Sequence, residues 1–192
     1  PGNTTAYFTT LTPGAANSAG SVVAGVVAPP VATVQSGFFE QPFEVVLSTL
    51  TPGAEVRYTL DGSVPTASSP LVNGALDVSG TPLKAVVLLR AVAFKTGWLA
   101  SPVTTRTYIF PDHVLTQPAL TSGFPAVGDS PGSKKDTAGD YEMDPQGIGN
   151  AVAGYAALAR EGLTSIPTVS ITPHRDPLFG PGAGGYAGRE EF

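Results

Sequence analysis

Between Glu55 and Leu60 the chain alternates strictly. Val56, Tyr58 and Leu60 share one parity, Glu55, Arg57 and Thr59 the other, and Asp61-Gly62 then breaks the pattern. A period of two puts the apolar side chains on one face of an extended backbone and the polar ones on the opposite face, which defines a half-buried strand. Asp-Gly tolerates positive φ and ends such a strand in a tight turn.

The same pattern repeats on both sides. Phe43, Val45 and Leu47 alternate with Glu44, Val46 and Ser48, and Thr51-Pro52-Gly53 turns the chain. Leu71 to Val78 is a weaker strand region. Val86 to Phe94 is an apolar run broken only by Arg90, of a length that suits a buried strand. Lys95-Thr96-Gly97 makes another turn, and Pro102 to Phe110 forms the last strand, with Val103, Thr105, Thr107 and Ile109 on one face. About six or seven short strands with turn signals at this spacing, in roughly 80 residues, predict an antiparallel sandwich of the immunoglobulin or fibronectin-III kind. Its expected core includes Val56, Tyr58, Leu60, Val87, Leu89, Ala91 and Ala93.

The flanks read differently. Residues 1–30 form an extended arm or linker, with a turn at Thr12-Pro13-Gly14, an uncharged β-prone run from Ser21 to Val27, and a stiff Pro29-Pro30 connector. Such a run can be donated to the open sheet edge of a neighbour, which singles out Val22, Val23, Val26 and Val27 as assembly residues. Residues 111–192 read as a loop-rich extension. Asp144-Pro145 is a helix start, apolar residues recur at helical spacing to about Glu161, and Gly162 is the expected stop, giving a helix near 145–161. A short strand is expected near 168–172. The fold class is therefore mostly β, a sandwich with extended arms and one C-terminal helix.

Composition excludes several functions. Ten basic side chains against 15 acidic give a net charge of −5 with no Lys/Arg cluster, so the basic footprint of a nucleic-acid binder is missing. With no Cys there are no disulfides, thiolate metal sites or Cys nucleophiles. With 23 Gly and 19 Pro the chain is turn-rich, yet it is 42% hydrophobic and so unlike a disordered acidic tail. No apolar stretch is long enough to span a membrane. The sequence opens on Pro1 without a starting Met or a leader, as expected of a processed product or an internal stretch of a longer chain.

Val56-Arg57-Tyr58-Thr59-Leu60-Asp61-Gly62-Ser63-Val64-Pro65-Thr66, then Leu89-Arg90-Ala91-Val92-Ala93-Phe94-Lys95-Thr96-Gly97, Ser101 and Thr107-Tyr108, resemble the chitobiase/β-hexosaminidase C-terminal-type domain. The resemblance implies a fibronectin-III-like sandwich in which the Asp-Gly turn and the Arg-Ala strand are structural. It also implies a non-catalytic accessory module on secreted bacterial proteins. Tyr7-Phe8 through Thr12-Pro13-Gly14-Ala15-Ala16-Asn17 resembles the end of a lamin-tail-type domain. Asp140-Tyr141-Glu142-Met143-Asp144-Pro145, Ile166 to Ile171 and Leu178-Phe179-Gly180 resemble the lead-in to a CotH-type kinase domain. No nucleotide-binding lysine, catalytic loop or metal motif of that kinase matches, so its activity is not carried over.

Candidate chemistry is sparse. Asp140, Glu142 and Asp144 at alternate positions are candidate Ca²⁺ ligands, although the glycine an EF-hand loop needs is missing and Asp144 also serves as a helix cap. His113 and His174 sit in no ligand motif. No nucleophile elbow or acid–base pair appears at an informative spacing, so no enzyme activity and no cofactor are expected. Phe38, Phe39 and Trp98 are candidate glycan contacts, set against a plain core role. Asn3-Thr4-Thr5 is an acceptor sequon. The expected function is a non-catalytic extracellular or cell-surface structural module, a subunit of a repetitive assembly or filament linked through its arms. Its expected partners are other copies of itself or neighbouring domains of its parent. The alternatives are a carbohydrate-binding accessory module with a polysaccharide partner, and the non-catalytic N-terminal part of a CotH-like kinase protein.

Overall fold

The computed structural model describes residues 7–10, 12–16, 22–119, 127–128, 137–138, 142–143 and 154–172. The elements are β1 (Tyr7–Phe8), β2 (Val22–Val23), β3 (Val31–Ala32), β4 (Gly37–Phe38), β5 (Phe43–Val45), β6 (Leu47–Ser48), β7 (Glu55–Thr59), β8 (Leu76–Val78), β9 (Val86–Phe94), β10 (Thr104–Ile109), α1 (Pro111–Leu115), β11 (Val127–Gly128), β12 (Thr137–Ala138) and α2 (Tyr155–Ser165).

One layer of the sandwich is a four-stranded sheet in the order β4-β10-β9-β7. β9 is antiparallel to both of its neighbours, with Tyr58 opposite Ala91 and Tyr108 opposite Val87. β4 instead runs parallel to β10, with Ile109 opposite Phe38. The facing layer is built on residues 43–48: β5 pairs with β8 and β6 with β3, both antiparallel. Val46 separates β5 from β6 and turns its side chain outward, while its N–H donates to Thr33 Oγ1 at 3.0 Å.

The alternation in the sequence decides which side chains meet between the layers. Val45, Leu47, Leu76 and Val78 from one layer pack on Val56, Val87, Leu89, Ala91, Ala93 and Tyr108 from the other in a single cluster. Tyr58 and Leu60 are half-buried against it. Leu89, Ala91 and Ala93 are at most 1% exposed, whereas Val86, on the outer face, is 38% exposed. In β10 the core parity belongs to Tyr108, not to the Val103–Ile109 face. Tyr108 is fully buried, and its hydroxyl donates to the Val34 carbonyl at 3.0 Å. Phe43 closes this end, with its ring 4.1 Å from Phe39 and edge-on to Tyr108 at 5.1 Å.

The predicted turns form. Ala54 N–H donates to Thr51 O and Trp98 N–H to Lys95 O, with Gly53 and Gly97 at positive φ in the third position. Pro102 has no N–H to continue the β9–β10 ladder, and Ser101 completes it. The Ser101 N–H donates to Ala93 O at 3.0 Å, and its Oγ accepts from Ala93 N–H at 2.9 Å.

Several boundaries differ from expectation. In the Leu71–Val78 region only Leu76–Val78 is a strand, although Leu71 makes an isolated bridge to Arg57. The stretch after Asp112, read as a loop, begins with α1, whose first residue, Pro111, has no N–H to leave unpaired. The C-terminal helix is Tyr155–Ser165 and runs through Gly162, which lies within the helix and not at positive φ. The expected start at Asp144-Pro145 lies outside the described residues. Residues 168–172 form no strand: Val169 and Ile171 are 83% and 82% exposed, so neither a partner strand nor burial supports one. No helix among the described residues is long and apolar enough to cross a membrane.

Candidate functional site

The Asp61-Gly62-Ser63 turn is a polar knot tied to β9. The Asp61 carboxylate accepts from the Ser63 N–H at 3.0 Å and from the Ser63 hydroxyl at 2.6 Å. These two bonds, the hydroxyl's first, hold the Asp61 carboxyl below its ordinary pKa of 3.8. Thr59 Oγ1 donates to Ser63 O at 2.6 Å, and Arg90 Nη1 donates to Gly62 O at 3.0 Å. Gly62 sits at φ +81°, and a Cβ there would meet Leu88 Cδ1 at 2.9 Å. The residues behind the sequence resemblance are thus committed to one another, in a structural role.

The N-terminal arm lies on its own sandwich. β1 and β2 pair antiparallel, with Tyr7 opposite Val23 and Phe8 opposite Val22. The chain then runs parallel to the segment after Gly97: Ala24 N–H donates to Gly97 O, Leu99 N–H to Gly25 O and Val27 N–H to Leu99 O, at 2.9–3.0 Å. The four valines singled out above therefore part company. Val22 and Val26 are 51% and 40% exposed, Val23 is half-buried, and Val27 is 1% exposed inside the core. Burying Val27 contributes about 1.5–3 kcal/mol. Thr49 and Thr51 hold Ala28 from both its N–H and its carbonyl, at 2.8 Å each, and Thr104 Oγ1 donates to Pro30 O at 2.6 Å.

The three aromatic candidates are not brought together. Phe38 pairs beside Ile109 at the end of β10, whereas Trp98 lies in the turn that precedes the start of β10. Trp98 is covered in place: Lys95 Nζ stands 4.8 Å from its ring centroid, and a Cβ on Gly25 would lie 2.9 Å from the ring. Phe39 stacks on Phe43 within the core. Of the three, Phe38 and Phe39 line an open groove, and Trp98 does not.

That groove, about 680 Å³, lies between α2 and the Phe38–Glu40 and Pro111–Leu115 segments. Its floor is Phe38, Phe39, Pro111 and Leu115. Arg160 bridges it, with Nη2 2.7 Å from Glu40 Oε1 and Nε 3.3 Å from Asp112 Oδ1. Both carboxylates are well exposed, so each pair contributes only about 0.2–1 kcal/mol. The N-terminal arm, plugged by Val27, is therefore held far more firmly than α2. Sequence reasoning missed Arg160: its partners lie 48 and 120 positions away, and no local pattern signals them.

Of the acidic trio, Asp140 and Asp144 lie outside the described residues, and among the described residues no three His, Asp or Glu side chains gather as a metal site. His113, on α1, packs near the Phe110 ring, and His174 lies outside the described residues. The Nε atoms of Arg90 and Arg106 are buried without a hydrogen-bond partner among the described residues.

No curated protein and no solved structure matches the chain. Residues 34–105 match the family model of the chitobiase/beta-hexosaminidase C-terminal domain.

Proposed function

We propose that this chain is a non-catalytic structural module of an extracellular protein, a rigid sandwich whose N-terminal arm joins it to other copies in a repetitive assembly. The observation that carries this reading is the arm itself. Residues 24–27 behave as an added strand, bonded through their main chain to residues 97–99 and plugged into the core by Val27. The segment carries no charge, so the same bonds and the same plug suit the sandwich of another copy equally well. Exchange of an identical element between copies loses no contact, and a head-to-tail exchange propagates into a filament unless it closes a ring. The short Ala28-Pro29-Pro30 connector is the hinge about which the arm would leave its own sandwich. The match of residues 34–105 to a domain common on secreted proteins supports the extracellular part of this reading.

Light scattering on the purified chain over a wide concentration range tests the reading. Concentration-dependent oligomers or filaments are expected, and they should vanish when the arm is removed before Ala28. A monomer at every concentration refutes the assembly and leaves the module a self-complemented spacer.

A further inference from the structure

We propose that α2 is a charge-held strap: it stays helical and docked only while Arg160 bridges Glu40 and Asp112. Its release uncovers the apolar floor of the groove, Phe38, Phe39, Pro111 and Leu115. Three sets of observations lead to this.

First, the docking is not driven by apolar burial. No residue of α2 is buried. The residues that face the groove are Ala156, Ala157, Arg160, Glu161 and Thr164, small or polar, whereas Tyr155 and Leu158 are 48% and 63% exposed. A helix that relied on the hydrophobic effect would turn those two inward. The open groove beneath α2 shows that packing does not close the gap, and the ion pairs of Arg160 reach across it to both β4's end and α1.

Second, α2 has little means to stand alone. It has 11 residues, shorter than isolated helices that persist in water. Its N-cap is Gly154, with no side-chain cap, and it has no acidic residue in the first turn and no basic one in the last. Gly162 lies inside it, and Thr164 turns its hydroxyl back on the Arg160 carbonyl. Undocking and melting are then one event, an order–disorder transition set by two exposed ion pairs.

Third, a tether survives release. Ser170 Oγ meets Thr107 Oγ1 at 2.7 Å on the outer face of β10, five residues past the helix. A melted α2 therefore stays close to the surface it has uncovered. That surface includes Phe38 at the end of β4, the outermost strand of its sheet among the described residues.

Amide hydrogen exchange on the whole chain tests the strap, with the amides of residues 155–165 read against those of β9. Raising the salt from about 0.01 to about 1 M shortens the screening length from about 30 to about 3 Å. Exchange in α2 should then rise roughly two- to tenfold, the factor that one or two exposed ion pairs carry. β9 should not change. Arg160→Gln should reproduce the high-salt behaviour at low salt, and Arg160→Glu combined with Glu40→Arg and Asp112→Asn, which removes the carboxylate that would repel the new one, should recover much of the protection. The proposal fails if α2 exchange ignores both salt and Arg160→Gln, if it rises only in step with β9, or if the reversed pair recovers nothing.

Discussion

Arg90, in the middle of β9, donates from Nη1 to the carbonyl of Gly62, 28 residues earlier in the chain, at 3.0 Å. The bond ties the longest strand of the sheet to the Asp61-Gly62-Ser63 turn, and it explains why an arginine interrupts an otherwise apolar run. A neutral side chain there would leave the turn held from below by the Gly62 N–H to Leu88 O bond at 3.2 Å.

Arg90→Met keeps much of the apolar stem and removes that donor, and it should lower stability by about 1.5–3 kcal/mol, the range for a hydrogen bond from a charged group. Gly62→Ala should cost a similar amount, about 1–3 kcal/mol, from its left-handed backbone and the approach of Leu88. Urea unfolding with an unchanged slope checks both. Because the two residues share one contact, the double variant should fall short of the sum.

Leu89 is 1% exposed at the centre of the cluster, so Leu89→Ala should cost about 2–5 kcal/mol. Leu50, 86% exposed in a turn, is the control: Leu50→Ala should stay within about 0.5 kcal/mol of the parent. Equal effects of the two substitutions in thermal or urea unfolding would contradict the burial described above.

Ser101→Ala leaves the Ala93 N–H without its acceptor between two packed strands, at a cost of about 1–3 kcal/mol. The hydroxyl also donates to Pro102 O at 2.9 Å, so one atom holds both the Ala93 amide and the chain leading into β10. Faster exchange of the Ala93 amide, with the Ser101 amide still protected, is the local signature to look for.

The Asp61 carboxyl is held below its ordinary value by hydrogen bonds present only in the folded chain. The ionised form is thus favoured on folding. Its contribution is complete above the unfolded value of 3.8 and disappears as the pH falls through the lower folded value. The contribution is small because the group is exposed. Asp61→Asn should be less stable than the parent at neutral pH, and the gap should narrow below about pH 4. A gap that stays constant down to strong acid would show that the charge is irrelevant.

Much of the sandwich can be read from residues alone, because each strand states its own inner face. Val45 and Leu47 against Glu44 and Ser48, or Val56 against Glu55, need no partner to reveal their parity. Turn positions are legible for the same local reason: Thr51-Pro52-Gly53 and Asp61-Gly62 carry their backbone geometry in their side chains. The β10 parity was harder, since Thr104–Ile109 alternates threonine with mixed neighbours, and Tyr108 is chosen by the space beneath it and by the carbonyl of Val34.

What lies between distant segments was not legible. The uncharged run before Pro29 announces a strand, but a strand's partner is set by which sheet edge is open nearby, and the structure supplies residues 97–99 of the same chain. Val27 became core and Val26 surface for the same reason. Phe38 and Trp98 look alike as aromatic residues in β surroundings, yet the fold sends them to opposite ends of β10. Arg160 reads as one charge in an alanine-rich helix until folding brings Glu40 and Asp112 to it. Local sequence determines strand faces and turns because they depend on neighbours two or three residues along the backbone. Pairing partners, plugs and ion bridges depend on distances through space, and these exist only once the two layers have closed on each other.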